Sequence, residues 1–186
     1  KKIVTAAHCV HDPGVFTVRI GLQNRSSPNS PKISVSNVRI HPTWIKETKK
    51  GIDIAVVTLE KNVQPDSHIA YGVLQTKELS IGENVTIYGW GWIKEYNSTH
   101  GESPDKLQKT NLTVKAPMKK GFLTVQYKNK TICRGDSGGP LMSKDGKIAG
   151  VCSHGTGSKL PDHICFLGDL NYYTKVSEFI DWIMQQ

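Results

Sequence analysis

Short runs of β-branched and aromatic residues, separated by turn-forming residues, limit most strongly what this chain can fold into. Eight such runs recur along the 186 residues, and glycine, proline, asparagine and serine fill the gaps between them. Many short strands at this spacing are typical of a β-sandwich or a β-barrel. The predicted strands are Val15–Leu22, Ile33–Ile40, Asp53–Leu59, Val85–Trp90, Leu107–Lys115, Phe122–Tyr127, Lys147–Ser153 and Tyr172–Val176.

Only the C-terminal end of the chain has a helical pattern. Its apolar residues fall at i, i+3, i+4, i+7 and i+8 from Val176 and form one stripe, which predicts a helix over 176–186. The polar stretch Lys94–Asp105 contains glycine and proline and is predicted to be a long exposed loop. The chain opens on Lys1 in what reads as the middle of a strand, so we expect that the natural N-terminus is missing.

The composition excludes several classes of protein. The net charge is +8, but the basic residues form small separate clusters and are not interleaved with aromatic residues, so we predict no nucleic-acid partner. A solvated basic surface is favoured, and a surface that binds polyanions such as heparin stays open. No apolar run approaches the ~20 residues of a membrane span. No cysteine pair or Cys/His cluster has zinc spacing, and we predict neither a metal nor a cofactor.

Five Asn-x-Ser/Thr sequons in so short a chain favour a secreted, extracellular glycoprotein. The candidate glycosylation sites are Asn24, Asn84, Asn97, Asn111 and Asn129.

Three separate motifs carry candidate catalytic chemistry. In Gly135-Asp136-Ser137-Gly138-Gly139-Pro140, glycines let the backbone turn tightly and aim N–H groups at an oxyanion. His8 stands among small residues in Thr5-Ala6-Ala7-His8-Cys9, and Asp53 opens an apolar strand. A serine hydroxyl is a poor nucleophile that needs a base, and imidazole titrates in the right range. A buried carboxylate fixes the tautomer of that base.

With these three motifs the sequence resembles the chymotrypsin/trypsin-like serine peptidase family from Ile3 to its end. Further landmarks of the family are Tyr88-Gly89-Trp90-Gly91, Val151–Gly155 and Tyr173–Val176 followed by Trp182-Ile183. The resemblance implies an all-β fold of two six-stranded antiparallel β-barrels with a C-terminal α-helix, the first barrel being incomplete here. It predicts a truncated first barrel over 1–72, a second barrel over 73–175 and the helix over 176–186.

The resemblance also implies a role for each matching residue. Ser137 would be the nucleophile, His8 the general base and then the acid, and Asp53 the residue that orients His8. The N–H groups of Gly135 and Ser137 would form the oxyanion hole. Ser153 would bond near Asp53, and the segment Ser153–Gly155, which includes His154, would pair with extended substrate backbone as an added strand. The implied partners are protein or peptide substrates and protein protease inhibitors.

This sequence departs from its family at the predicted specificity pocket. Thr131 lies where trypsin-like members carry aspartate, and a buried neutral threonine leaves a substrate Arg or Lys without a partner. Asn171 falls where a small residue commonly lines the pocket, and His154 replaces a common tryptophan beside Ser153. We therefore predict a specificity that is not trypsin-like, with chymotrypsin-like, elastase-like and narrower alternatives open.

The cysteines and the activation machinery depart as well. The resemblance implies a disulfide between Cys133 and Cys165, while Cys9 would pair with a cysteine upstream of the chain and Cys152 would be a buried free thiol. Family members mature when cleavage frees an apolar α-amino group, which would insert beside Asp136 and shape the oxyanion hole.

The sequence features also bear on functions other than a secreted serine endopeptidase. The pattern Gly135-x-Ser137-x-Gly139 also fits the nucleophile elbow of α/β-hydrolases, but those enzymes run Ser, acid, His and alternate strands with helices. The main alternative is a non-catalytic secreted relative that acts as a binding or decoy protein. A basic module that binds surfaces is the third class.

Overall fold

The computed structural model describes residues 1–45, 52–97, 99–117, 121–126, 130–155, 165 and 170–186. Twelve strands and two short helices follow one another in these residues. In the first half they are β1 (Lys2–Thr5), α1 (Ala7–Val10), β2 (Thr17–Arg19), β3 (Lys32–Ile40) and β4 (Ala55–Leu59). In the second half they are β5 (Asn84–Gly89), β6 (Lys94–Glu95), β7 (Gly101–Glu102), β8 (Gln108–Pro117), β9 (Phe122–Gln126), β10 (Pro140–Ser143), β11 (Ile148–Gly155), β12 (Asn171–Lys175) and α2 (Ile180–Gln185).

Six strands of the second half close into an antiparallel barrel. Their order around it is β10-β11-β12-β9-β8-β5, and each neighbouring pair is antiparallel. Inward-facing side chains fill the barrel, because successive residues of a strand alternate between its two faces. The buried residues of this core are Val85, Ile87, Leu112, Val114, Leu123, Val125, Ile132, Leu141, Cys152 and Tyr173.

The first half forms a four-stranded sheet in the order β1-β4-β3-β2. Four of the five residues of β4 are buried, whereas β3 alternates between exposed and partly buried positions. One closed barrel and one smaller barrel-like sheet confirm the predicted all-β fold class. The predicted boundary near residue 72 stays a prediction.

A second core cluster joins the two halves and the C-terminal helix. Its buried members are Ala6, Ile54 and Val56 from the first half and Val151, Val176 and Ile183 from the second. The apolar stripe therefore packs as predicted, but the helix begins at Ile180 and not at Val176. Residues 176–179 form turns, and the Phe179 N–H donates to the Val176 carbonyl.

Three further features of the described residues correct the sequence analysis. Lys94–Asp105 is not a plain loop, since β6 and β7 pair within it as a short hairpin. The four-residue helix α1 was not predicted, because such a length leaves no detectable periodicity. Strand β10 was missed as well, and it closes the barrel between β5 and β11.

Candidate active site

The pairing of β1 with β4 brings His8 and Asp53 together. Thr5 at the end of β1 pairs with Ala55 at the start of β4, and the strands are antiparallel. The residues that follow β1 therefore lie beside those that precede β4. Helix α1 turns the chain immediately after β1, and His8 on it faces Asp53 across 45 residues of sequence.

Asp53 is 3% exposed, and protein donors occupy both carboxylate oxygens. The backbone N–H of His8 donates to Oδ1 at 2.9 Å, while the Nδ1 of His8 lies 2.7 Å from Oδ2. The Ser153 hydroxyl donates to the same Oδ2 at 2.5 Å. Burial raises the pKa of Asp53, but the bonds from His8 and Ser153 outweigh it and hold that pKa below 3.8. Asp53 is therefore ionised at neutral pH.

The bond with Asp53 fixes the state of the His8 ring. Ionised Asp53 only accepts, so Nδ1 carries a proton and the neutral ring keeps its lone pair on Nε2. The hydrogen bond to Asp53 raises the pKa of His8 above its ordinary 6.5, the contact with Cys9 raises it further, and partial burial opposes both. The Sγ of Cys9 lies 3.6 Å from Nε2. When the ring is neutral, His8 therefore has the tautomer that a general base needs, while the raised pKa favours the imidazolium.

Ser137 lies on the glycine-rich loop and is exposed. Gly138 has φ +76°, and a Cβ there would stand 2.3 Å from the Thr5 side chain, so the loop can approach β1 only with glycine. The Gly138 N–H donates to the carbonyl of Cys152 at 2.8 Å and anchors the loop to β11. Among the described residues, no hydrogen bond joins Ser137 to His8. Such bonds are often long in unliganded enzymes and tighten when substrate binds.

The wall beside Ser137 bounds an open cavity of about 400 Å³. Thr5, Tyr88 and Leu107 line it together with the loop from Gly135 to Pro140. Gly135 has φ +102° and is exposed beside Ser137.

Asp136 turns away from Ser137 into a slot between two glycines. Its carboxylate accepts the N–H groups of Gly91 at 2.8 Å and Cys133 at 2.9 Å. A Cβ on Gly89 or Gly91 would meet this carboxylate at 1.9 Å or 2.3 Å. Burial raises the pKa of Asp136, and the two backbone bonds partly oppose that effect. The acceptor predicted for a freed α-amino group is thus inward-facing and anchored by the backbone.

Thr131 and Asn171 are in direct contact. The Thr131 hydroxyl donates to Asn171 Oδ1 at 2.9 Å, and the backbone N–H of Ile132 donates to the same atom at 3.1 Å. The Asn171 amide group donates to the carbonyl of Val125 at 3.3 Å, and the side chain is fully buried. Asn171 therefore ties the loop at Thr131 to strands β9 and β12.

The edge of β11 beyond Cys152 is available to a further strand. β10 pairs with β11 only up to Val151, and the loop at Gly138 and Gly139 bonds to Cys152. In this segment His154 and Gly155 pair with β12 on the other side. In the described part of the chain no strand pairs with this segment on the side of Ser137. The predicted added strand of substrate would need such an unoccupied edge.

Two of the four cysteines form the predicted disulfide. Cys133 and Cys165 form a disulfide with their Cα atoms 5.2 Å apart, which confirms that prediction. In the described residues Cys9 is free and exposed, and Cys152 is free and buried.

Four of the predicted glycosylation sites are exposed: Asn24, Asn84, Asn97 and Asn111. Asn129 lies outside the described residues, as do the lysines at 49, 50, 119, 120 and 128, which belong to the predicted basic clusters.

Sequence reasoning missed one residue that holds the site. The Thr174 hydroxyl on β12 donates to the backbone carbonyl of Asp53 at 2.8 Å and is fully buried. Thr174 stands in a landmark motif of the family, and the sequence predicts no contact between it and Asp53. A hydrogen bond across 121 residues leaves no local signal in the sequence.

Comparison with known proteins agrees with this geometry. The sequence profile described as Trypsin matches residues 1–183. Trypsin eta of Drosophila melanogaster is 30% identical over 99% of this chain and 72% of its own length. Chymotrypsin-like elastase family member 3A of Homo sapiens is 29% identical over 97% of this chain and 73% of its own length.

Structural comparison gives the same fold. Neuropsin, a serine protease expressed in the limbic system of mouse brain, superposes with a TM-score of 0.86 at 23% sequence identity. The superposition covers 100% of this chain and 84% of the neuropsin chain. In the described residues no helix is long and apolar enough to cross a membrane. A match of the Trypsin profile to nearly the whole chain shows that this protein belongs to the chymotrypsin/trypsin-like serine peptidases and is a serine endopeptidase.

Proposed function

We propose that this protein is a secreted endopeptidase in which Ser137, His8 and Asp53 form the catalytic triad. The observation that carries the proposal is the His8–Asp53 pair, in which a buried carboxylate bonds Nδ1 at 2.7 Å and so directs the lone pair of the neutral ring to Nε2. The Ser137 hydroxyl would take the position at Nε2 that Cys9 Sγ now contacts at 3.6 Å. Exposed sequons and a disulfide support secretion, because both features belong to oxidising extracellular environments.

The proposed mechanism has two stages. Ser137 Oγ attacks the carbonyl carbon of the scissile bond while His8 Nε2 takes its proton, and the oxyanion that forms accepts the N–H groups of Gly135 and Ser137. His8 then gives the proton to the leaving amine, and an acyl-enzyme remains on Ser137. Water, deprotonated by His8, hydrolyses this ester and regenerates the serine. Asp53 stays ionised throughout and stabilises the His8 imidazolium.

The proposed specificity is for neutral residues before the cleaved bond. The hydroxyl of Thr131 gives its only proton to Asn171, so the base of the pocket offers a lone pair and no anion. A buried substrate cation would lack a counter-charge there, which costs several kcal/mol. Asn171 is larger than the small residue common at its position in the family, and we expect it to narrow the pocket and to favour medium-sized apolar residues over tryptophan.

A serine-directed fluorophosphonate probe tests the catalytic proposal on the mature, full-length protein. We expect labelling at Ser137 and turnover of peptide substrates. Ser137→Ala should abolish labelling and lower kcat by several orders of magnitude while the circular dichroism spectrum stays unchanged. Ser80, which is exposed and belongs to no sequon, gives a matched control in Ser80→Ala, with labelling and turnover as in the wild type.

The second candidate function is a non-catalytic secreted homologue. It is favoured by the lack of a Ser137–His8 hydrogen bond in the described residues and by the occupation of both Asp136 oxygens by backbone groups. A protein that is folded, correctly processed and unreactive towards the probe would support this candidate and exclude the endopeptidase.

A further inference from the structure

A β-bulge in β11 brings two consecutive side chains to the same site. Cys152 pairs with Tyr173 and His154 pairs with Tyr172, so Ser153 is an extra residue without a partner in β12. Consecutive side chains of a regular strand point to opposite faces, and a bulge re-aims one of them. Here the Nδ1 of His154 lies 3.0 Å from the Oγ of Ser153.

The protons of this arrangement can be assigned. Ser153 has one hydroxyl proton and donates it to Asp53 Oδ2 at 2.5 Å. Its contact with His154 must therefore be one in which the Nδ1–H of His154 donates to an oxygen lone pair. This holds for the neutral ring and for the imidazolium, because both can carry a proton on Nδ1.

A second contact orients the same ring. The imidazole of His154 stacks on the phenol ring of Tyr172, with centroids 4.6 Å apart and planes 6° from parallel. Stacking on a cross-strand neighbour leaves the ring little freedom to turn its Nδ1 away from Ser153. The hydrogen bond is thus held from two sides.

The charge of His154 reaches the proposed triad. Three bonds in series connect His154 to Ser153, Ser153 to Asp53, and Asp53 to His8. The Nδ1 atoms of the two histidines therefore lie within about 8 Å of each other, a separation at which charges still interact measurably. The titratable groups that face His154 in the described residues include Asp53, His8 and the Tyr172 phenol. Burial lowers the pKa of His154 below 6.5, Asp53 raises it, and His8 lowers it.

From this geometry we propose that His154 is a positioning residue of the triad, which holds the Ser153 hydroxyl on Asp53 and couples its own charge to that of His8. The proposal rests on the proposed role of His8 and Asp53. His154 stands where tryptophan is common in the family. The tryptophan ring carries no titratable charge, so it could not make this coupling.

Kinetics with a pair of variants separate the hydrogen bond from the ring. His154→Leu removes the donor and should lower kcat by about twofold to tenfold, the effect of one ordinary hydrogen bond. His154→Asn keeps a donor at the position of Nδ1 and should restore kcat to near the wild-type value, whatever happens to KM. His68 is an exposed histidine on a distant loop, and His68→Leu should leave both constants unchanged. A Leu variant with wild-type kcat, or an Asn variant as slow as the Leu variant, would overturn the proposal.

An NMR titration tests the charge coupling without any turnover. The Cε1–H resonance of His154 should titrate below pH 6.5 in the wild type. In His8→Gln the neighbouring cation is gone, so the midpoint of His154 should rise by roughly 0.4 to 1.5 pH units. An unchanged midpoint in the folded variant refutes the coupling. Because this readout needs only folded protein, it separates a failure of this inference from a protein that has no peptidase activity.

Discussion

Replacing Thr131 by aspartate tests whether the base of the specificity pocket decides which residue precedes the cleaved bond. Two opposite charges about 4 Å apart at an effective dielectric constant near 20 attract by about 4 kcal/mol. The new carboxylate, however, faces Asn171 Oδ1 where a hydroxyl now donates at 2.9 Å. That bond is lost, and two acceptors are brought together.

The amide of Asn171 cannot simply flip to relieve this contact. Its Oδ1 also accepts the N–H of Ile132, and its NH₂ group donates to the carbonyl of Val125. A flip would break both bonds, each worth about 0.5 to 1.5 kcal/mol. The net gain for a substrate Arg or Lys is therefore about 1 to 3 kcal/mol, which is about 5-fold to 150-fold in rate.

The assay is the ratio of kcat/KM for matched peptides with Arg or Leu before the cleaved bond. Thr131→Asp should raise this ratio by that factor relative to Thr131→Asn, a neutral side chain of the same shape. The double variant Thr131→Asp with Asn171→Gly should raise it further, because the opposing acceptor is gone. A wild-type preference for Arg or Lys, or equal ratios in the Asp and Asn variants, would refute the placement of Thr131 at the pocket base.

Three further outcomes are expected. The kcat/KM of the mature enzyme should rise with pH with a midpoint above 6.5, because Asp53 raises the pKa of His8 and only neutral His8 can accept a proton. Asp53→Asn should move that midpoint down, and a pH–rate profile of each protein measures it. Replacing Cys133 and Cys165 by serine should lower the free energy of unfolding in urea by about 4 kcal/mol, the loop-entropy value for 32 residues, and a loss below 1 kcal/mol would contradict it. Gly138→Ala should abolish fluorophosphonate labelling, because φ +76° strains any side chain and the Cβ would meet Thr5; full labelling would show that the loop adapts.

The fold class and the candidate residues could be predicted from the sequence because each has a local signature. Short runs rich in β-branched residues indicate the strands, and the glycines around Ser137 are its immediate neighbours in the chain. Both signals therefore lie within a few consecutive residues. The disulfide between Cys133 and Cys165 was predicted from a family resemblance, and the structure confirms it. Helix α1 could not be predicted, since four residues make barely one turn.

The contacts that tune the site have no local signature at all. Thr174 and Asp53 are 121 residues apart, and Thr131 and Asn171 are 40 apart. The bulge at Ser153 depends on the register between β11 and β12, which the sequence pattern of either strand does not specify. Such features arise only when tertiary packing has fixed the register, and they determine what the candidate residues can do.

Asp53 shows how the site depends on the packing of both halves of the molecule. The residue precedes β4 of the first sheet, yet Ser153 on β11 bonds its carboxylate and Thr174 on β12 bonds its backbone carbonyl. Without the Ser153 donor, a carboxylate that is 3% exposed would keep only its bonds to His8, and the loss of one such bond costs about 1 to 3 kcal/mol. Its neighbour Ile54 is buried in the core cluster that joins the halves. Apolar packing thus holds the two halves together, and the docked second half adds the bonds from Ser153 and Thr174 to those that His8 makes with Asp53. The bond that orients the proposed base thus forms within the first sheet, and the second half completes the set of donors around Asp53.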